Sequence, residues 1–148
     1  FTELDHTGKN YFGYSSTASD NNGQAPRDMD IVVNPDNADE VHIAGVLTWR
    51  SLDGGVNFNI TSQWTPGGAF SENIGYCHAD VDMLEYFDGK LFVASDGGIF
   101  RADNPTAIDG SGGVGTMGHK HGKRFRAAVE GVVTRAAVHL VITNAAFE

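Results

Sequence analysis

The chain has 148 residues, enough for one ordinary hydrophobic core, and its 19 glycines and 10% aromatic content suit a turn-rich β protein. A formal net charge of −9 argues against nucleic acid as a partner, because phosphate-backbone binding needs a basic surface. No apolar run reaches the roughly 18–20 residues of a membrane span, and the single cysteine, Cys77, cannot form an internal disulfide.

The opening stretch, 1–27, carries Tyr11, Phe12 and Tyr14, then a Ser/Asn/Asp/Gly-rich loop, and reads as the last strand of a preceding blade followed by a surface connection. From residue 28 to 77 the pattern becomes that of short strands. Paired acids Asp28 and Asp30 lead into Ile31-Val32-Val33. The turn Asn34-Pro35-Asp36-Asn37 follows, then Val41 to Gly45, then Leu47-Thr48-Trp49-Arg50. Next comes Ser51-Leu52-Asp53-Gly54-Gly55-Val56-Asn57-Phe58, which fits Ser/Thr-x-Asp-x-Gly-x-x-aromatic. A hydroxyl and a carboxylate two residues apart can each accept backbone N–H groups left free at a turn. The Asp-Gly-Gly step tolerates positive φ, and the aromatic enters the next strand, Phe58 to Trp64, facing the core.

Residues 78–113 repeat this order. Asp80 and Asp82 precede Met83-Leu84, and Asp88-Gly89 makes a turn. Leu91-Phe92-Val93-Ala94 then leads through Asp96-Gly97-Gly98 to Ile99-Phe100-Arg101. Equivalent residues of the two segments lie about 50 apart, a period typical of a propeller blade. The second box falls at Ile108 to Gly113 and lacks its aromatic. Beyond a composition change near 110–118, residues 114–148 form a basic linker and tail with half of the ten basic residues. Phe125, Ala128, Val129, Val132, Val133, Ala136, Ala137 and Leu140 are spaced as on a helix, although the β-branched content leaves a strand pair open.

Together, residues 26–104 resemble the Asp-box (BNR-repeat) β-propellers of secreted proteins, in the style of sortilin and the xyloglucanases. The likeness rests on Asp30 to Pro35, Val41 to Gly45, Trp49 to Gly55, His78 to Asp82 and Phe92 to Arg101. It implies an all-β fold of about two to two and a half four-stranded blades and a secreted or cell-surface location. It also implies that remaining blades of a parent protein, or other chains, complete the propeller. Ser51, Asp53, Gly55 and Phe58 are then structural, and the fold alone fixes no activity.

Candidate chemistry is sparse. If His78, Asp80 and Asp82 lie on one strand, their side chains share a face and could hold a divalent cation, with oxygen ligation favouring calcium or magnesium over zinc. The favoured reading is structural: these side chains bond backbone N–H groups at strand starts and anchor neighbouring blades. As a glycosidase pair, Asp80 and Asp82 are weak, because both sit on one side of any substrate whereas the two acids must straddle it. Arg50 and Arg101 are candidates for ligand binding, yet their repeated position suggests scaffold. Trp64, beside Thr65-Pro66-Gly67-Gly68, is the aromatic expected to be partly exposed in a loop, where a sugar could stack. His119 and His121 lack a third ligand. The sequence therefore favours a non-catalytic scaffold or glycan- or protein-binding module requiring no cofactor; the alternative is a fragment of a xyloglucanase- or sialidase-like glycoside hydrolase.

Overall fold

A computed structural model describes residues 2–106; the box at Ile108 to Gly113, His119, His121 and the helical pattern of the tail lie outside the described residues. Among the described residues, eight strands form two sheets and one short helix accompanies the first, a mostly β framework. In the first sheet, β1 (Asp30–Asn34), β2 (Asn37–Ala44), β3 (Thr48–Ser51) and β4 (Asn59–Gln63) form an antiparallel meander. Helix α1 (Pro66–Glu72) follows, and β5 (Gly75–Tyr76) returns parallel to β4. The second sheet is a three-stranded meander of β6 (Val81–Phe87), β7 (Lys90–Ser95) and β8 (Gly98–Ala102).

Turn chemistry sets the hairpins. Asp88 and Gly89 both take positive φ, 50° and 68°, as a two-residue turn matched to strand twist requires. Pro35 and Asp36 connect β1 to β2, with Asn34 Oδ1 accepting the Asp36 amide at 2.9 Å.

The two sheets pack face to face. Val81, Leu84, Tyr86, Leu91, Val93, Phe100 and Ala102 of the second sheet meet Ala44 and Val32 of the first, with Cys77 in the seam. Burial pushes the Cys77 thiol up to about 12, so it is an inert core group. Backbone bonds also cross: the Val81 N–H donates to Gly45 O at 2.9 Å, and the Leu84 N–H donates to the Asp30 carboxylate at 2.6 Å. On the opposite face of the first sheet, Ile43 and Trp49 pack with Val46, Leu47 and Ala18, flanked by Tyr11 and Phe58.

Three features differ from the sequence reading. The opening segment contains no strand; one Gly13–Gly23 bridge and several turns replace it, because Asn10 and Asp20 side chains take up its backbone groups. It still covers the first sheet, where the Trp49 indole N–H donates to Tyr11 O at 2.7 Å. The Thr65–Gly68 stretch is not a loop but the start of α1. Thr65 Oγ1 caps it by accepting the Gly68 amide at 3.1 Å, Pro66 opens the first turn, and Asn73 closes it with φ 53°. Finally, β6 begins only at Val81, so strand alternation does not extend back to His78 and Asp80.

Candidate functional site

The β3–β4 hairpin turn is a self-contained polar unit. Ser51 Oγ accepts the amides of Gly55 (2.8 Å) and Asp53 (3.2 Å) and donates to Asp53 Oδ1 at 2.7 Å. The Asp53 carboxylate also accepts the Asn57 amide (2.9 Å) and the Asn57 side-chain NH2 (2.8 Å). Gly54 and Gly55 take positive φ, 71° and 94°. Phe58 turns inward against Tyr11, ring centroids 5.2 Å apart. The bonds from Ser51 and Asn57 hold the Asp53 carboxyl down to about 2. Because that folded pKa lies below the ordinary 3.8, the stabilisation is complete above about pH 4 and fades as pH falls towards 2. Ser51 is fully buried. Ser51→Ala orphans the buried Gly55 amide and lowers unfolding free energy by about 1–3 kcal/mol, measurable by urea titration.

Each sequence-predicted acid has its own partner. Asp80, at φ 63°, turns aside and accepts a hydrogen bond from the Gln24 amide at 2.5 Å. Asp82 faces Arg27 at 3.4 Å, and Arg27 also pairs with buried Asp28. His78 Nδ1 lies 2.8 Å from Asp96, its ring seated where a Cβ on Gly97 would be. The left-handed turn at Asp80 thus sends the three side chains of the expected trio to three separate partners. Among the described residues, no group of three His, Cys, Asp or Glu side chains gathers as a cation would need.

The remaining candidates divide between core and surface. Arg50 is buried and donates to Pro105 O at 2.6 Å, while Arg101 pairs with Asp103 at 2.7 Å. Trp64 is 43% exposed, and Phe70 on α1 is 90% exposed. The helix carrying Phe70 is tied to β4 by a bond from the Gln63 amide to Glu72 at 3.0 Å.

The sequence reading missed a buried polar cluster in the sheet–sheet seam. Glu40 is fully buried; Glu40 and His42 on β2 meet Tyr86 on β6. Tyr86 donates its hydroxyl proton to Glu40 Oε1 at 2.8 Å. His42 Nε2 lies 3.0 Å from the same oxygen and 2.9 Å from the Tyr86 hydroxyl. Since the tyrosine's proton is already committed, Nε2 carries the imidazole hydrogen. Asn34 Nδ2 donates to Glu40 Oε2 at 2.8 Å. Burial works to raise the Glu40 pKa, but the bonds from His42, Asn34 and Tyr86 outweigh it and hold the carboxyl below its usual range. His42 is pushed down, by burial first and by the Arg50 charge, against the opposing pull of Glu40. Burial, then the bond to Glu40, drives the Tyr86 phenol up. The available signal was Glu40 and His42 at i and i+2, alternating with apolar Val41, Ile43 and Ala44 in the second half of β2.

Comparison with family models, with curated proteins and with solved structures finds no match to this chain. Among the described residues no helix is long and apolar enough to cross a membrane.

Proposed function

We propose that this chain is part of an exported Asp-box β-propeller protein and acts as a non-catalytic scaffold or binding module, presenting its loops to a glycan or protein partner. The observation that carries the reading is the unequal cover of two equivalent faces. Register aligns Ile31, Ile43 and Trp49 across the first sheet, as it aligns Leu84, Val93 and Phe100 across the second. Val33, Val41 and Ser51 correspond in the same way to Tyr86, Leu91 and Ala102. Leu84 and Tyr86 are buried against the first sheet, whereas Ile31 is 63% and Val33 46% exposed. A unit that docks onto its predecessor through this face leaves the β1 edge of the first unit's face, Ile31 and Val33, uncovered for a further blade, and stacking of such units is propeller architecture. The remaining blades of a parent protein, or other chains, would supply that cover.

The partnering of Asp80 by Gln24 and of Asp82 by Arg27 supports a scaffold role, because each carboxylate has a partner of its own within the chain. Exposed Trp64 and Phe70 offer the apolar ring faces that sugars stack on. A glycan array run beside a chromogenic-glycoside panel tests the reading. Binding without turnover is the expected result. Turnover abolished by Asp80→Asn would replace it with a glycoside hydrolase, and failure to bind any glycan would remove the sugar-binding part.

A further inference from the structure

We propose that the Glu40–His42–Tyr86 cluster is an acid-sensitive latch that holds the two sheets together near neutral pH and loosens in mild acid, so that the seam opens more often. The cluster lies across the seam: Glu40 and His42 belong to the first sheet and Tyr86 to the second. Its bonds form a closed set in which every described member is occupied. Two protons, from Tyr86 and His42, converge on one Glu40 oxygen, and Asn34 fills the other. The groups facing His42 are Glu40 on its own strand, Arg50 on β3 and Tyr86 on β6. From β1 the residues on this face are Val32, the register partner of His42, Asn34, and Asp30, whose carboxylate accepts the Leu84 N–H at 2.6 Å further along the seam. β7 presents only apolar Leu91 and Val93 to this seam.

In this arrangement a second proton on His42 is costly. It would place an imidazolium in a dry seam that already holds the Arg50 guanidinium. When the seam opens, water solvates His42 and its pKa returns towards about 6.5. The closed form, with its depressed pKa, binds fewer protons than the open form in the window below that value. Opening therefore becomes more favourable as pH falls, by at most about tenfold per pH unit for one imidazole. Glu40, also depressed, adds an effect of the same sign only below about pH 4.5. Above pH 7 neither group contributes and the latch stays shut.

Cys77 is a built-in reporter, since its thiol is buried in this seam and is the chain's one cysteine. The experiment is labelling of the intact chain with a pyridyl disulfide, corrected at each pH for the reagent's reaction with free cysteine. The corrected rate should rise up to about tenfold between about pH 6.5 and 5.5, with far-UV circular dichroism unchanged. His42→Gln keeps a donor towards Glu40 without the titration, so its rate stays low and flat. Tyr86→Phe removes the cross-seam bond, so its rate is already raised at pH 7 and responds less to acid. His6→Gln and His78→Gln, which alter histidines outside the seam, retain the full response. A flat wild-type rate, a wild-type-like response in His42→Gln, or a rise that tracks loss of the far-UV signal would each overturn the latch.

Discussion

Replacing Glu40 by Ala lowers unfolding free energy by about 3–5 kcal/mol at pH 7, the cost of removing one partner from a buried charged cluster. The carboxylate lost is fully buried and accepts bonds from Asn34, His42 and Tyr86. All three donors are then left in a space too dry to solvate them, and the Arg50 guanidinium loses the favourable Glu40 charge. Glu40→Gln discriminates between shape and charge. Its amide oxygen can still accept from Tyr86 and His42, while its NH2 group meets the Asn34 donor unless that amide turns over. The Gln variant should fall between wild type and Ala in a urea titration. Equal losses in both variants would mean that the negative charge, and not the hydrogen-bond set, holds the seam.

Truncation at two equivalent positions has unequal results. Leu84→Ala costs about 2–5 kcal/mol, the usual range for a buried leucine. Ile31→Ala stays within about 0.5 kcal/mol, as for most surface substitutions. The two residues hold the same place in their sheets, each opposite the second strand's Ile43 or Val93. The difference is cover: Leu84 is 4% and Ile31 63% exposed. Denaturant midpoints of the two variants, compared at equal slope, measure it. If a further blade seats on Ile31 and Val33, the Ile31→Ala penalty should grow towards the Leu84 value once that blade is present. A large Ile31→Ala loss in this chain alone would mean that the face is already covered and would remove the main support for the proposed stacking.

Local features were legible because their causes are local. The Ser51–Phe58 turn needs a hydroxyl, a carboxylate, two permissive glycines and an inward aromatic within eight residues, and the described bonds all close within that span or its immediate contacts. Asp88-Gly89 announced its hairpin for the same reason. Helix α1 was harder to read. Thr65-Pro66 is a sound helix start, but Gly67 and Gly68 resist helix formation, and the bond from Gln63 to Glu72 that ties the helix to β4 is a tertiary contact. At His78–Asp82 one left-handed residue, Asp80, defeated a period-2 argument that assumed an unbroken strand.

By itself, then, the sequence determined the strand-rich character and the positions of the tight turns at Ser51–Phe58 and Asp88–Gly89, both of which follow from side-chain alternation and from which residues accept positive φ. Only the tertiary structure decided which polar groups work together. Tyr86 reaches Glu40 and His42 across more than forty residues of chain, and Gln24 reaches Asp80 across more than fifty. No spacing rule predicts such partners. Stacking one sheet on another brings Tyr86 within 3 Å of Glu40 and His42 and removes the water that would otherwise have satisfied each of these three separately.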